Sequence, residues 1–200
     1  HPTGYTATDF HIEPDASAAT YLWGAELLTG GAIDIGTPAD KFTQPDAKAH
    51  EVMAQFPHLP AEIDGSQMQD AIPTIAVLAA FNETPVRFVG IANLRVKECD
   101  RIRAVSLGLN EIRNGLAHEE GDDLIVHSDP SLAGQTVIAS IDTFADHRIA
   151  MSFALAALKI GGIAIQNPAC VGKTYPNYWK ALASLGVDYT EKESAAEPQH

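Results

Sequence analysis

The sequence predicts a mixed α/β domain made of three similar units, and two observations support this. Segments typical of helices alternate with short segments typical of strands, which is the pattern of α/β architectures. An aspartate that opens an apolar segment is followed 26, 27 and 27 residues later by a lysine, in the pairs Asp15–Lys41, Asp70–Lys97 and Asp146–Lys173. A nearly constant period indicates an internal repeat. The alternative is chance similarity within a common alternation of helices and strands.

The first helix of each predicted unit follows this aspartate. The three segments are DASAATYLWGAELL, DAIPTIAVLAAF and DHRIAMSFALAAL. Aspartate is a favoured N-cap residue, so we expect each helix to begin at or just after it. Each segment is apolar nearly all round, which is typical of a buried helix. The sequence therefore favours helices packed inside, with sheets around them.

Each unit is predicted to continue with a short strand, then a loop that carries the lysine, and then a second helix. The strands are GAIDI, PVRFV and GIAIQ, and the second helices are DAKAHEVMAQF, ECDRIRAVSLGLNEI and NYWKALASL. The middle second helix has one apolar face at helical spacing, formed by Ile102, Val105, Leu109 and Ile112. Further strands, such as DDLIVHS and VDYTEK, follow. No Pro- or Gly-rich linker divides the chain, so we expect one domain over residues 1–190 and a polar tail over residues 191–200.

Composition limits the classes of partner. The 200 residues carry a formal charge of −13, and no long basic run is present, so we expect no nucleic-acid partner and only a local anion site. The apolar runs are too short to span a membrane. Two cysteines, Cys99 and Cys170, do not make a disulfide scaffold, which favours reduced thiols in the cytoplasm. The first 20 residues lack the basic and then apolar order of a signal peptide.

The stretch NLRVKECDRIR concentrates positive charge where a loop is predicted to become a helix. Four of the 13 Lys and Arg residues lie within residues 92–104, namely Arg95, Lys97, Arg101 and Arg103. Cations at a helix N-terminus are mildly destabilising, and a bound anion would offset this cost. The alternative is a solvated helix start with ion pairs such as Glu98–Arg101.

Two further segments place cations next to predicted helix starts. His147 and Arg148 lie in the first turn of an apolar helix, where a cation needs either a salt bridge, for example to Asp146, or an anionic ligand. Lys173 follows a glycine in a loop before a helix, and loops of this kind can hold phosphate. The loop is not a Walker A motif, because position 168 is a proline where that motif needs a glycine. The alternative for Lys173 is a solvated surface lysine.

Asp70 is a single acid at the entrance to a buried apolar helix. It is either an N-cap, which is worth about 1 kcal/mol, or a base or acceptor for a substrate hydroxyl. The eight histidines show no metal-ligand spacing, and no pair of cysteines lies two residues apart. Because a Gly-x-Gly-x-x-Gly motif is also absent, we expect neither a metal nor a dinucleotide cofactor.

Four motifs, taken together and in order, resemble the C-terminal half of the 5-enolpyruvylshikimate-3-phosphate synthase family (3-phosphoshikimate 1-carboxyvinyltransferases). They are QDAIPTIAVLAAF, NLRVKECDRI, DHRIAMSFALAAL and GKTYPNYWKAL, and DASAATYLWGAEL resembles the same family. The similarity runs from about Asp15 to Leu185. It implies one of two similar family domains, each an inverse β-prism of three βαβαββ units with buried helices and outer mixed sheets.

The resemblance also implies a reaction. The enolpyruvyl group of phosphoenolpyruvate moves to the 5-hydroxyl of shikimate 3-phosphate and phosphate is released, without a metal or organic cofactor. The catalytic residues implied are Asp70, which contacts the shikimate hydroxyls and helps to remove the attacking proton, and Glu98, which handles the proton at the phosphoenolpyruvate methylene. We expect Lys97 to favour the carboxylate form of Glu98 and burial to oppose it. The implied substrate-binding residues are Asn93 and Lys97 for shikimate 3-phosphate, and Arg101, His147, Arg148 and Lys173 for phosphoenolpyruvate.

The sequence also departs from the family. Cys99 stands where the family usually has Ser or Thr. The family chain is roughly double this length, and the motifs of its N-terminal half that grip the shikimate phosphate are not in these residues. The missing half is therefore the implied protein partner, and we expect the chain to be inactive alone. Two alternatives are a UDP-N-acetylglucosamine enolpyruvyl transferase, with the same fold and donor, and a non-catalytic module that binds anions or another protein.

Overall fold

The computed structural model describes residues 4, 7–9 and 11–192, so residues 193–200 of the predicted polar tail lie outside the described residues. The described part has these α-helices: α1 Ala16–Thr29, α2 Ala49–Met53, α3 Ile72–Ala79, α4 Arg101–Ile112, α5 His147–Ala157 and α6 Tyr178–Ser184. Its β-strands are β1 Glu62–Asp64, β2 Val86–Val89, β3 Ala117–Glu120, β4 Asp123–Val126, β5 Thr136–Ile141 and β6 Gly161–Ile165. Short 3-10 helices occur at Ala39–Lys41, Pro45–Lys48, Gln69–Ala71, Ala92–Val96, Pro130–Leu132 and Pro168–Lys173.

Three helices form the interior, and all three contact one another: α1, α3 and α5. Every residue of α3 is buried, and α5 is buried from His147 to Ala156. The helices approach closely where α1 carries Gly24, because a Cβ there would stand 2.7 Å from Leu155 Cδ1 of α5. The prediction that the first helices are buried is therefore confirmed. In α4, the predicted apolar face is buried as well.

Two sheets lie beside these helices. The larger sheet has the strand order β1-β2-β4-β3, in which β1 and β2 are parallel and the β3–β4 hairpin adds antiparallel strands. The smaller sheet consists of the parallel strands β5 and β6. The predicted mixed α/β class is confirmed by this arrangement. None of the described helices is both long and apolar enough to cross a lipid bilayer.

The described residues contain the full βαβαββ order only in the middle of the chain, as β1-α3-β2-α4-β3-β4. The first predicted unit has α1 and α2 but no strand within the described residues. The third unit has β5, α5, β6 and α6, and VDYTEK, residues 187–192, does not form the predicted strand. That segment pairs with no strand in the part of the chain described, and a strand forms only where a neighbour accepts its backbone hydrogen bonds.

The segment GAIDI, residues 31–35, is also not a strand, contrary to prediction. Backbone N–H groups in and directly after this segment bind side chains instead. Ile33 N donates to the Glu26 carboxylate, and Gly36 N donates to the Asp34 carboxylate at 2.8 Å. Gly36 has a φ of +76°, which turns the chain away from an extended path. These local hydrogen bonds to side chains thus take the place of the backbone hydrogen bonds to a neighbouring strand that the alternating pattern predicted.

Aspartate side chains cap three of the helices, at the starts of α1, α4 and α5. Asp15 accepts from Ser17 N at 2.9 Å, Asp100 from Arg103 N at 3.0 Å and Asp146 from Arg148 N at 2.8 Å. Asp70 does not cap α3, which begins at Ile72 after the 3-10 turn Gln69–Ala71 and has no side-chain cap. The N-cap alternative for Asp70 is therefore wrong, and its carboxylate makes other contacts.

The helix predicted from ECDRIR begins later than its sequence suggests. Asp100 is the N-cap of α4, so the first helical residue is Arg101. Lys97 lies before the helix, directly after the 3-10 segment Ala92–Val96. Of Lys97 and Arg101, only Arg101 therefore lies at a helix N-terminus. Lys97 and Glu98 are carried by a loop, which sequence periodicity did not distinguish from a first helical turn.

Candidate functional site

Arg101 lies at the centre of a charged cluster. Its side chain is 1% exposed and binds acids from three separate segments of the chain. Nε donates to Asp146 at 2.7 Å, Nη1 to Asp70 at 2.9 Å and Nη2 to Glu98 at 2.5 Å. A buried guanidinium without partners would be costly, so these contacts define where it can lie. These contacts use four of the five N–H donors of the guanidinium, so little of Arg101 is left for a further anion.

The two acids in register in the predicted repeat, Asp70 and Asp146, both bind Arg101 but differ in exposure. Asp146 is 0% exposed, and it both caps α5 and accepts from Arg101. Asp70 is 27% exposed and also contacts Arg148 Nη2 at 3.0 Å and Lys97 Nζ at 3.5 Å. Asp146 can therefore act only as an internal anchor, whereas Asp70 can reach both the internal cations and a ligand in solvent.

Arg148 and His147 open α5 and face different surroundings. The Arg148 guanidinium contacts Asp70 and lies 3.5 Å from the hydroxyl of Tyr21, a buried residue of α1. Burial raises the pKa of Tyr21 to about 12, so this hydroxyl stays protonated. His147 is buried, and neither ring nitrogen has a hydrogen-bond partner among the described residues. Burial, followed by the charge of Arg148, lowers the pKa of His147, which favours a neutral ring.

Glu98 is held by Lys173 rather than by its neighbour in sequence. Lys173 Nζ donates to the Glu98 carboxylate, and this hydrogen bond is the main reason that the pKa of Glu98 falls to about 2. Arg101 acts in the same direction, and burial opposes both. Lys97 was expected to play this part but contacts Asp70 instead. The direction of the expected effect on Glu98 is confirmed, and the cation responsible is different.

Asn93 is exposed within Ala92–Val96, the segment that leads to Lys97. It takes no part in the ion-pair network of the described residues. The structure therefore brings seven of the eight predicted residues into one network or next to it: Asp70, Lys97, Glu98, Arg101, His147, Arg148 and Lys173. Their assembly joins the loop before α4, the start of α5 and the end of Pro168–Lys173.

Three residues near this network were not predicted as site residues: Asp146, Tyr21 and Cys99. The sequence pointed to Asp146 as a helix cap, as a salt-bridge partner of the cations that follow it and as the counterpart of Asp70 in the repeat, but nothing in the sequence pointed to Tyr21. The Cys99 thiol lies 3.5 Å from an oxygen of Asp146. Burial, and next the charge of Asp146, raises the pKa of Cys99 to about 12, so the thiol is unreactive in this arrangement.

The cluster is locally positive in an acidic protein. It contains four cations, Lys97, Arg101, Arg148 and Lys173, and three acids, Asp70, Glu98 and Asp146. Lys173 and Lys97 are the cations most open to solvent. The arrangement can therefore attract an anion to exposed lysines and offer it two partly exposed carboxylates for proton transfer.

An open groove of about 400 Å³ lies elsewhere, between α1 and residues 33–39. Trp23, Glu26 and His50 line it, and it holds none of the predicted site residues. The charged cluster is partly buried, with Arg101 1% and Lys173 59% exposed. Charge and side-chain geometry identify it as the candidate site.

Comparisons with known proteins identify the family of the chain. The sequence profile of EPSP synthase (3-phosphoshikimate 1-carboxyvinyltransferase) matches residues 1–182. A 3-phosphoshikimate 1-carboxyvinyltransferase of Rhizobium etli is 79% identical over 192 residues, which are 96% of this chain and 46% of the relative. One of Pseudomonas savastanoi pv. phaseolicola is 74% identical over 185 residues, 92% of this chain and 44% of the relative.

Solved structures show the same fold. An EPSP synthase of Acinetobacter baumannii superposes with a TM-score of 0.64 at 24% sequence identity, covering 84% of this chain and 45% of the other. A second structure of the enzyme from that organism gives a TM-score of 0.62. The chain spans about half the length of the relatives that it matches.

Proposed function

The chain belongs to the EPSP synthase family, and we propose that it supplies one wall of an active site for enolpyruvyl transfer. In this reaction the enolpyruvyl group of phosphoenolpyruvate moves to the 5-hydroxyl of shikimate 3-phosphate, and phosphate is released. The observation that carries the proposal is the network around Arg101, in which cations and acids from three segments meet around one buried guanidinium. Both substrates are polyanions, which gives the exposed cations a ligand.

The proposed roles follow from exposure and contacts. Lys97 and Asn93 lie on the exposed loop and would bind the phosphate of shikimate 3-phosphate. Asp70 would contact the attacking hydroxyl and help to remove its proton, since its carboxylate is partly exposed. The three cations that contact this carboxylate fix its position. The group proposed to bind phosphoenolpyruvate consists of Arg101, His147, Arg148 and Lys173. Preorganised charges of this kind are the usual main source of rate when charge moves between substrate atoms.

The Lys173–Glu98 contact gives Glu98 a way to change its basicity during the reaction. While Lys173 donates to it, the pKa of Glu98 is about 2, which makes the carboxylate a weak base. If Lys173 turns to the phosphate or carboxylate of phosphoenolpyruvate, the main cause of that low pKa is removed. Glu98 then becomes better suited to take or return the proton at the methylene carbon at neutral pH.

The proposal extends to architecture and partners. We infer a prism of three βαβαββ units, supported by the mutual packing of α1, α3 and α5 and by the complete middle unit. The protein partner is the N-terminal half that the longer relatives carry, which would form the opposite wall. The proposed reaction takes place in the cytoplasm and uses no metal, organic cofactor, nucleic acid or membrane.

A fusion tests the proposed function. The chain is joined behind the N-terminal half of the Rhizobium etli relative, and phosphate release from phosphoenolpyruvate and shikimate 3-phosphate is measured. The matched control carries that relative's own C-terminal half. We expect release from both fusions, and none when UDP-N-acetylglucosamine replaces shikimate 3-phosphate. A folded fusion that releases no phosphate while its control is active would show that this wall is not catalytic.

A further inference from the structure

Arg95 joins the loop of the candidate site to a distant hairpin. Its Nε donates to Asp122 at 2.8 Å, and its Nη1 donates to both Asp100 and Glu119 at 2.8 Å. Its Nη2 donates to the backbone carbonyl of Gly121. Glu119 belongs to β3, and Gly121 and Asp122 form the turn before β4. One guanidinium thus binds three carboxylates and a carbonyl, more acceptors than are needed to neutralise its charge.

The contact with Asp100 connects Arg95 to the start of α4. One oxygen of Asp100 accepts from Arg95, and the other caps the helix by accepting from Arg103 N at 3.0 Å. The next residue is Arg101, whose guanidinium organises the cluster. Arg95 and Asp100 therefore clamp both ends of a four-residue segment, residues 96–99, which carries Lys97 and Glu98. That segment has neither helical nor strand hydrogen bonding of its own after Val96.

We propose that Arg95 is a positioning residue, which fixes the segment with Lys97 and Glu98 against the β3–β4 hairpin and so sets the geometry of the site. This inference rests on the proposed function for its kinetic consequence, but its structural consequence is independent of it. Lysine cannot replace the planar guanidinium group of Arg95, because a lysine side chain has one nitrogen donor and Arg95 donates from three. A displacement of about 1 Å in catalytic groups lowers rates by roughly 100-fold.

Arg87 provides the matched control. It lies on β2 and binds two acids of the same hairpin, Glu120 and Asp123, but forms no hydrogen bond or ion pair with residues 96–100 in the described structure. Removing either arginine loses ion pairs to one hairpin. Only removal of Arg95 also removes an ion pair to Asp100, at the end of residues 96–99, so the comparison of Arg95→Gln with Arg87→Gln separates positioning from general stabilisation.

Cys99 is a reporter within the clamped segment, and it needs no substrate. Its thiol is protected, because burial and Asp146 disfavour the reactive thiolate. In the 200-residue chain, labelling by a maleimide is followed at each cysteine by mass spectrometry. We expect Arg95→Gln to speed labelling of Cys99 by about tenfold or more, Arg95→Lys to give an intermediate rate and Arg87→Gln to have no effect. Cys170 should label equally in all four proteins.

The fusion enzyme then gives the kinetic result. We expect Arg95→Gln to lower kcat and raise the KM for phosphoenolpyruvate, together by about 10- to 100-fold in kcat/KM, with partial recovery in Arg95→Lys. If the parent fusion is inactive, the proposed function fails and the labelling result still decides whether Arg95 positions the loop. Asp122→Ala, which removes a single exposed contact, replaces Arg95→Gln if that variant does not fold.

Three results would overturn the inference. The first is equal Cys99 labelling in Arg95→Gln and the parent chain. The second is a parallel rise at Cys170, which would indicate general loosening. The third is an active fusion whose kcat and KM are the same with Arg95→Gln as with Arg87→Gln.

Discussion

The carboxylate of Asp146 accepts a 2.7 Å hydrogen bond from Arg101 Nε, and both side chains are almost completely excluded from water. The two residues begin different helices, α5 and α4, so the pair sets how these helices meet. It also places the rest of the Arg101 guanidinium against Asp70 and Glu98.

Replacing Asp146 by asparagine should destabilise the chain strongly. Asparagine keeps the N-cap of α5 but leaves Arg101 buried with less counter-charge, and breaking a buried pair costs about 3–5 kcal/mol. The free energy of unfolding in urea measures this change. Asp15→Asn is the control, because Asp15 is an exposed cap and asparagine caps equally well, so we expect a loss below about 0.5 kcal/mol. Equal losses in the two variants would contradict a special role for the buried pair.

Removal of Lys173 should raise the pKa of Glu98. Lys173 is the main cause of its low value of about 2, so in Lys173→Met the carboxylate should titrate closer to its ordinary value of 4.5. Because a lowered pKa stabilises the folded state above the unfolded value, the contribution of this pair is full above pH 4.5 and is lost as the pH falls toward 2. Carboxyl NMR shifts between pH 2 and pH 6 follow the titration.

Lys97→Met is the control for this titration, since Lys97 contacts Asp70 and not Glu98. We expect the midpoint of Glu98 in that variant to stay near that of the parent chain. A shift caused by Lys97→Met but not by Lys173→Met would show that the neighbour in sequence holds the carboxylate after all.

Glu98→Gln should abolish most of the activity of the fusion enzyme. Glutamine keeps the shape of the side chain but cannot exchange a proton, and acid–base groups contribute about 100-fold or more to rate. Steady-state phosphate release gives kcat, and Glu51→Gln, an exposed change on α2, is the control. A non-catalytic anion-binding module would show normal folding and unchanged activity in both variants.

His147→Phe should show whether His147 serves to bind phosphoenolpyruvate or to stabilise the folded protein. Both ring nitrogens of His147 are buried without a described partner, so an apolar ring of similar shape should leave the thermal midpoint unchanged or raise it. If the nitrogens serve a substrate, the KM for phosphoenolpyruvate in the fusion should rise by about tenfold, the usual worth of one to two hydrogen bonds. A lower midpoint with an unchanged KM would assign His147 to packing alone.

The 200-residue chain alone should show negligible turnover. It spans about half the length of its relatives, so one wall of the proposed cleft is missing. Phosphate release by the purified chain is compared with release by the fusion at equal concentration. Turnover by the isolated chain, at a rate similar to that of the fusion, would refute the half-site interpretation.

Sequence periodicity predicted the helices well and the strands less well. The segments that became α1, α3 and α5 are mostly apolar along their whole length, so their burial can be recognised without knowledge of a neighbour. GAIDI has the alternation of a strand, but a strand also depends on a partner, which local sequence does not contain. The same reason applies to VDYTEK, which pairs with no strand in the described structure.

The sequence by itself determined the α/β class, the buried helices, the family and the set of charged residues that belong together. Tertiary structure alone decided which charge meets which. Arg101 and Asp146 are 45 positions apart, and Lys173 and Glu98 are 75 positions apart, so no local pattern pairs them. Burial then assigns their roles, because a carboxylate without access to water can serve only as an anchor, whereas one at the surface can also meet a substrate.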